Sequence, residues 1–254
     1  MIPKVFHYCW FGPKKIGKIE ADCIASWQEI HPDFEIKKWD ETNCDMDIPF
    51  VKEAYRNKKW AFVADYFRFR ILEKVGGIYM DTDMLLLKRL DHLLNFKGFI
   101  GFEDNIHVSA GIIGSERRNS VIKDLNQYYK SLKFNTESPL VINSSLNFIF
   151  EKLGLVNYNV EQEIGGFKMF ASNVFYPLTF EDSKKGVEYH SEIQQESLAV
   201  HLWNHSWGDE FSEFGKGNTV KGIGKAFSKI LKNPMLPKLY YKKLVKNIIY
   251  SIKK

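Results

Sequence analysis

Cysteine and long apolar runs are both scarce in this 254-residue chain. The three cysteines, Cys9, Cys23 and Cys44, form no C-x-x-C pair, and their odd number argues against a disulfide framework and fits a reducing compartment. The amino-terminal segment has no extended apolar region of the kind that a signal peptide needs, and no stretch reaches the ~18 apolar residues of a membrane-spanning helix. We therefore expect neither a secretion signal nor a transmembrane segment.

Acidic residues are absent from residues 221–254, where ten lysines occur. The formal net charge of the whole chain is +5, so residues 1–220 carry −5 and the basic character lies in the tail. We predict a domain over residues 1–220 and a basic tail over residues 221–254. Such an asymmetry predicts an anionic partner for the tail alone.

Apolar residues recur through the tail at helical spacing. One set is Ile223, Phe227, Ile230 and Leu231, and the other is Tyr240, Tyr241, Leu244, Val245, Ile248, Ile249 and Ile252. Lysines lie opposite the second set, as in helices that bury an apolar side among lipid headgroups and turn lysines toward anionic lipid. Nucleic acid is disfavoured as a partner because the apolar side is continuous and the tail has no arginine. Packing of the tail against the domain is the alternative.

Strand and helix patterns alternate through the first third of the chain. Strands are predicted over residues 3–8, 34–39 and 78–80, and helices over about 16–30, 50–57 and 59–75. This order predicts an α/β fold with a parallel, doubly wound sheet. Further strands are predicted at 99–103, 109–114 and 175–178, and further helices at 120–133 and 142–153.

Residues 64–83, ADYFRFRILEKVGGIYMDTD, hold the most informative pattern. Asp65 and Arg68 are three residues apart, so they share one face of a helix that Gly76-Gly77 ends. A short apolar strand follows and runs directly into Asp81 and Asp83. Paired carboxylates at the carboxyl end of a strand lie where open α/β sheets bind ligands, and their oxygens suit Mg²⁺ or Mn²⁺ better than zinc.

Each part of this pattern also has an alternative interpretation. Asp81 and Asp83 also fit a solvated turn, and Asp65 and Arg68 fit an ion pair on a helix surface. A phosphatase of the haloacid dehalogenase type also places D-x-D after a strand. In that class Thr or Val stands at the fourth position after the strand, where this chain has Met84.

The order D-x-x-R followed by G-G-I-Y-x-D-x-D resembles the core signature of glycosyltransferase family 32. The resemblance implies a nucleotide-sugar-binding fold of the GT-A type, with a mainly parallel sheet and flanking helices. It implies a UDP-sugar donor, Mn²⁺ or Mg²⁺, and transfer that retains the anomeric configuration. Asp83 would bind the ion, while Asp81 would bind it through water or hold the ribose. Asp65 and Arg68 would hold sugar hydroxyls, with Arg68 near phosphate, and Tyr79 would contact the donor.

Two further segments are similar to motifs of the same family. In F-H-Y-C-W-F-G, the resemblance assigns Trp10 to stacking on uracil and Cys9 to a backbone contact with the base; a core position is the alternative for Trp10. In H-x-W-x-x-S-W, it assigns His201 or Ser206 to the metal shell, and Trp207 to covering the diphosphate and donating to the leaving oxygen. Zinc binding by His201 and His205, or a structural aromatic cluster, is the alternative.

The expected activity is transfer of a hexose from a UDP-sugar to a lipid-linked oligosaccharide, in the synthesis of bacterial capsule, O-antigen or other cell-surface polysaccharide. The basic tail predicts a peripheral location on the cytoplasmic face of the plasma membrane. Relatives often carry Asn near the strand at 109–114, where this chain has Ser109-Ala110-Gly111. A toxin-like transferase that modifies protein, or a sugar-binding scaffold without activity, is the alternative.

Overall fold

The computed structural model describes residues 1–135, 141–204, 219–232 and 238–252. These residues divide into two compact units. The first comprises Met1–Thr179 with Glu188–Trp203, and the second comprises Phe180–Val187 with the described part of Asn204–Lys254. The predicted boundary at residue 220 stays a prediction.

The first unit is built on a mixed sheet whose strands run mostly in one direction. The strands, in chain order, are β1 Val5–Cys9, β2 Glu35–Trp39, β3 Gly77–Met80, β4 Met84–Leu86, β5 Gly98–Phe102, β6 Val108–Ser115, β7 Gln162–Ile164, β8 Phe167–Phe170 and β9 Ala199–His201. Seven of them form one sheet in the order β2-β1-β3-β6-β5-β8-β7, and β4 pairs with β9 in a separate ribbon. Of the seven, only β6 and β7 run opposite to the rest. The α/β fold with a mainly parallel sheet is therefore confirmed.

Helices flank this sheet and connect its parallel strands. In chain order the helices of the first unit are α1 Lys18–Ile30, α2 Pro49–Arg56, α3 Trp60–Val75, α4 Ser120–Ser131, α5 Ile142–Lys152 and α6 Ser172–Phe175. Each element predicted in the first third of the chain is present, within one to two residues at most ends. Residues 175–178 were predicted as a strand, which is wrong, because Phe175 ends the short helix α6. The short strands β7 and β8 were not predicted.

The join between α3 and β3 requires glycine at two successive positions. Gly76 and Gly77 have φ angles of 71° and 102°, and the Gly76 N–H caps α3 by donating to the Leu72 carbonyl at 2.8 Å. A Cβ on Gly77 would lie 2.7 Å from the Val5 carbonyl oxygen of the neighbouring strand. The predicted helix stop is thus also the place where β3 enters the sheet against β1.

Helices of the second unit are α7 Phe180–Lys184, α8 Thr219–Lys232 and α9 Lys238–Ile252. Helices α8 and α9 pack through Ala226 and Leu244, with Ile230 and Ile248 beside them. Other apolar side chains of these two helices are exposed: Val220, Ile223, Phe227, Leu231, Val245 and Ile249. Among the described residues, no helix has the length and apolar character needed to cross a bilayer.

Candidate active site

The two aspartates of the D-x-D pair are fixed by a tight turn at the carboxyl end of β3. The Asp81 N–H donates to the Gly111 carbonyl at 2.7 Å, and the Met84 N–H donates to the Asp81 carbonyl at 3.0 Å. Strand β4 begins at Met84, so Asp81 and Asp83 lie between two strands that hold the backbone on both sides. The predicted position of these carboxylates, at the edge of the sheet where strands end, is the one observed.

Arg68 joins the helix α3 to the D-x-D turn. Its Nη2 donates to Oδ1 of Asp65 at 2.7 Å and to Oδ1 of Asp81 at 3.2 Å, while its Nη1 donates to the Ala110 carbonyl at 2.6 Å. The guanidinium also lies over the Tyr79 ring, 4.6 Å from the ring centroid. Because Asp65 and Arg68 are almost fully buried, they form an internal ion pair and not the surface pair that was the alternative. The planar guanidinium lets one nitrogen contact both carboxylates while the other nitrogen donates to the backbone of β6.

Burial controls the protonation of these carboxyl groups. Burial raises the pKa of the Asp65 carboxyl to about 7, although the positive charge of Arg68 acts in the opposite direction. Burial likewise raises the pKa of Asp81, again against the charge of Arg68. The Tyr79 hydroxyl donates to Oδ1 of Asp81 at 3.2 Å and favours its ionised form. One guanidinium between a buried carboxyl, Asp65, and a partly buried one, Asp81, therefore sets the charge of this part of the site.

His201 lies in β9, the last strand of the first unit in chain order, and contacts the D-x-D turn. Strand β9 pairs with β4 so that His201 lies opposite Met84, and the Leu202 N–H donates to the Asp83 carbonyl at 2.9 Å. The imidazole Nε2 lies 3.0 Å from Oδ1 of Asp83. Burial lowers the pKa of His201, but the Asp83 carboxylate outweighs that effect and raises it overall. Its Nδ1 is buried with no hydrogen-bond partner among the described residues.

Backbone atoms and one tyrosine complete the site, and neither was among the residues predicted to form it. The hydroxyl of Tyr176 accepts a hydrogen bond from the Ile112 N–H at 3.1 Å. A Cβ on Gly111 would lie 3.0 Å from that hydroxyl and 3.5 Å from Oδ2 of Asp81. Gly111 therefore keeps space beside the Asp81 carboxylate. The signal for Tyr176 was present in F-Y-P-L, but this segment was interpreted as a strand.

The residues assigned to the nucleotide base and donor lie deep in the structure. Trp10 is only 4% exposed, and its indole N–H donates to the Lys14 carbonyl at 2.6 Å. Cys9 is buried at the end of β1, and burial raises the pKa of its thiol. Tyr79 is buried and supports Asp81 from behind. Base stacking by Trp10, the Cys9 contact and the Tyr79 donor contact stay predictions. Ser206 and Trp207, with His205, lie outside the described residues.

Two family patterns match the chain. Residues 17–100 match the glycosyltransferase sugar-binding region containing a DXD motif, and residues 114–224 match the α-1,4-glycosyltransferase conserved region. The first match contains Asp65, Arg68, Asp81 and Asp83, and the second contains Gly114 through His201. Two consecutive regions of the chain thus match glycosyltransferase patterns, one of them defined by the DXD motif. The resemblance to glycosyltransferase family 32 and the expected enzyme class are thus confirmed.

Individual glycosyltransferases are 25–30% identical to the chain within the regions that align with it. Mannosyl phosphorylinositol ceramide synthase CSH1 of Saccharomyces cerevisiae is 30% identical over 143 residues, which is 52% of this chain and 37% of that protein. Human lactosylceramide 4-alpha-galactosyltransferase is 27% identical over 155 residues, 56% of this chain and 41% of that protein. The chain therefore spans well under half the length of these relatives.

Solved glycosyltransferase structures are also similar. The galactosyltransferase LgtC, solved with donor and acceptor sugar analogs, has a TM-score of 0.46 at 12% identity, covering 94% of this chain and 100% of that one. The glycosyltransferase GlyE of Streptococcus pneumoniae has a TM-score of 0.44 at 12% identity, covering 81% of this chain and 57% of that one.

The side chains of this glycosyltransferase fit a divalent cation at the D-x-D turn. Adjacent ligands of an octahedral ion bonded at ~2.1 Å are about 3 Å apart, which matches the 3.0 Å between Asp83 Oδ1 and His201 Nε2. Asp81 uses Oδ1 for Arg68 and Tyr79, which leaves Oδ2 for another ligand. No three His, Cys, Asp or Glu side chains converge as a ready metal cluster within the described part of the chain. The metal roles of Asp81, Asp83 and His201 stay predictions.

Proposed function

We propose that this glycosyltransferase moves a hexose from a UDP-sugar to a sugar hydroxyl, with a divalent cation, Mn²⁺ or Mg²⁺, as cofactor. The proposal rests on two contacts of the D-x-D carboxylates: Arg68 of α3 contacts Asp81, and His201 of β9 contacts Asp83. Three separate parts of the chain converge on one polar edge of the sheet. A solvated turn would need no such convergence.

Asp83 and His201, with Asp81, would hold the cation, which supplies positive charge next to the diphosphate leaving group. Charge that develops on the leaving oxygens sets the barrier of this reaction, so charges fixed beforehand accelerate it. Arg68 holds Asp65 and Asp81 in place, and Asp65 accepts hydrogen bonds from donor sugar hydroxyls. Ser206 and Trp207 would close over the diphosphate, as the family resemblance implies.

The proposed transfer retains the anomeric configuration. The support is the match of residues 114–224 to an α-1,4-glycosyltransferase region. Hexoses in UDP-sugars are commonly α-linked, so an α-linked product keeps the configuration of the donor. The acceptor hydroxyl would then attack from the side that UDP leaves.

The proposed acceptor is a lipid-linked oligosaccharide, such as those of bacterial capsule or O-antigen assembly. Two relatives carry ceramide lipids in their names, which supports a glycolipid as the acceptor class. The family resemblance supports the bacterial polysaccharide role.

The second unit would hold the enzyme at an anionic membrane surface on the cytoplasmic side. Residues 221–254 carry ten lysines and no acid, so their charge favours anionic lipid. The exposed apolar side chains of α8 are three or four residues apart and therefore lie on one face of the helix: Val220, Ile223, Phe227 and Leu231. Val245 and Ile249 are half-exposed on α9. An apolar face flanked by lysines is the pattern of an interfacial helix.

The test is UDP release from UDP-sugars with Mn²⁺, with and without acceptor. Asp83→Asn keeps the size of the side chain and removes an anionic ligand, so turnover should fall at least ~100-fold. Asp124→Asn changes an exposed carboxylate of α4 and should leave turnover unchanged. Wild-type turnover in Asp83→Asn at every Mn²⁺ concentration, or no reaction with any UDP-sugar, would overturn the proposal.

A further inference from the structure

A second polar cavity, of about 360 Å³, opens at the end of the sheet opposite the D-x-D turn. It is lined by Arg70, Glu73, Lys74, Arg117, Arg118, Asn126 and Lys130. Strands β3 and β6 are antiparallel, with Gly77 opposite Ser115. The turn after β6 therefore lies at the amino end of β3, whereas Asp81 follows its carboxyl end. The second cavity is thus separate from the candidate active site.

Positive charge dominates the second cavity. Four exposed cations lie on its rim and a fifth, from α3, is partly buried: Lys74, Arg117, Arg118 and Lys130, with Arg70. In the described part of the chain, none of these five cations forms an ion pair with a carboxylate. Five cations face one acid, Glu73. A concave surface lined mostly by one sign of charge concentrates ions of the opposite sign.

Glu73 is held in place by its neighbours. The Asn126 amide Nδ2 donates to Oε2 of Glu73, and the Arg118 N–H donates to the Glu73 carbonyl at 3.0 Å. Arg118 has a φ of 62°, an uncommon conformation for a residue with a side chain. These contacts tie the turn after β6 to the last turn of α3, so the basic side chains project from a fixed backbone.

Asn126 supplies a second and independent observation. It is only 1% exposed and lines the cavity, yet its amide oxygen Oδ1 makes no hydrogen bond with any described residue. A buried acceptor without a donor destabilises a protein by roughly 1–3 kcal/mol. A bare anion would satisfy the cations but has nothing to donate to this oxygen. The missing partner is therefore a hydroxyl or N–H group.

We infer that the second cavity binds a phosphate ester that carries hydroxyl groups, of the class of a hexose phosphate. The phosphate would lie among Arg117, Arg118 and Lys130, because guanidinium groups match the geometry of phosphate oxygens. A hydroxyl of the same ligand would donate to Oδ1 of Asn126. The volume lies in the range of small-molecule sites, ~300–1,000 Å³, and is large enough for one hexose phosphate.

The test is calorimetric titration of the full chain with glucose 6-phosphate, in saturating UDP and Mn²⁺ so that the donor site is filled. Binding should be measurable, and glucose should not bind. Inorganic phosphate should bind at least ~10-fold more weakly, because it lacks the sugar hydroxyls, one of which would donate to Asn126 while the phosphate contacts the basic side chains. Equal affinity for glucose 6-phosphate and inorganic phosphate, or no binding of glucose 6-phosphate, overturns the inference.

Substitutions in the second cavity test whether glucose 6-phosphate binds there. Arg117→Gln combined with Lys130→Gln changes two exposed side chains and should weaken glucose 6-phosphate at least ~10-fold without changing UDP affinity. Lys123→Gln, an exposed lysine of α4 that does not line the cavity, is the matched control and should bind as the wild type does. Unchanged affinity in the double variant overturns the assignment to this cavity.

A lipid headgroup is the other source of the same chemistry. Vesicles of neutral lipid with phosphatidylinositol 4-phosphate present a phosphate ester with ring hydroxyls, and flotation compares them with vesicles of phosphatidylserine. Preference for the phosphoinositide that the double variant loses supports a membrane-borne ligand in this cavity. Binding of glucose 6-phosphate with no such preference supports a free ligand.

Discussion

The imidazole of His201 lies 3.0 Å from the carboxylate of Asp83, although 118 residues separate them in the chain. This contact exists because β9 pairs with β4, the strand that begins directly after the D-x-D turn. The last strand of the first unit thus completes a site that the third strand begins.

The first prediction concerns this imidazole. If His201 holds the cation with Asp83, His201→Ala should raise the Mn²⁺ concentration for half-maximal activity at least ~10-fold. His190→Ala, an exposed histidine, is the control and should leave the Mn²⁺ dependence unchanged. A metal titration of UDP release measures both. An unchanged Mn²⁺ dependence in His201→Ala would remove His201 from the metal shell.

The second prediction concerns the buried guanidinium. Arg68→Met leaves the buried carboxyl of Asp65 and the partly buried carboxyl of Asp81 without their shared partner, so the free energy of unfolding should fall by about 3–5 kcal/mol. Arg56→Met, at the exposed end of α2, should change it by less than ~0.5 kcal/mol. Urea unfolding gives both values. Adding Asp65→Asn to Arg68→Met should restore part of the lost stability. If Arg68→Met alone is as stable as the wild type, the prediction is contradicted.

The third prediction is a loss of stability in acid. Buried His7 contacts the Gly76 carbonyl through Nε2 at 2.8 Å and accepts from the Trp39 indole N–H at 3.1 Å. Burial lowers its pKa from 6.5 to about 4, so the unfolded chain takes up a proton before the folded chain does. Stability should fall as the pH drops from about 6.5 to 4, by up to about 3 kcal/mol.

His7→Gln separates this effect from the titration of other groups. Between pH 6.5 and 4 the free energy of unfolding of His7→Gln should fall much less than that of the wild type. The value for His92→Gln, which changes an exposed histidine, should fall as that of the wild type does. Urea unfolding at a series of pH values measures the slope. Equal slopes in His7→Gln and the wild type would show that His7 does not titrate in this way.

The fourth prediction concerns the base. If Trp10 stacks on uracil, Trp10→Ala should weaken UDP binding by roughly 1–3 kcal/mol, and Trp10→Phe should keep most of the affinity. Calorimetric titration with UDP measures this, and circular dichroism confirms that each variant is folded. Full affinity in a folded Trp10→Ala variant would leave Trp10 with a structural role alone, in line with its burial.

The fifth prediction concerns the membrane surface. Phe227→Ser with Leu231→Ser changes two side chains that are 62% and 67% exposed, so folding should survive while sedimentation with anionic liposomes falls. Val156→Ser, 78% exposed in the first unit, should sediment as the wild type does. Binding should be weaker to neutral liposomes and in high salt. Equal sedimentation of all three proteins would contradict the interfacial role.

The parts of the fold that depend on local pattern could be predicted from the sequence. The order β1-α1-β2-α2-α3-β3 follows from apolar spacing and from the helix stop at Gly76-Gly77. The D-x-D pair was placed correctly because its position depends only on the strand that precedes it. Strands β7 and β8 are too short, at three and four residues, to show a period.

The parts of the site that depend on distant pairing could not be predicted. The Ala110 carbonyl that accepts a hydrogen bond from Arg68 is part of the backbone, and backbone groups carry no sequence signal. Tyr176 is directed to the site by the loop after α6, and the sequence does not define that path. For Trp10, the residue type fits a core and a stacking platform equally, and only the structure shows that the ring is buried.

The pairing of β4 with β9 also has a consequence for the order of folding. Contacts among β1, β2 and β3 close loops of a few tens of residues, whereas Met84 and His201 close one of more than a hundred. The entropy lost on closing a loop grows with its length, so the short connections form first. During synthesis the nucleotide-sugar half of the sheet can assemble while Asp83 still lacks its imidazole. We therefore expect the contact between Asp83 and His201, and with it the proposed metal site, to form last, in a step that follows formation of most of the sheet.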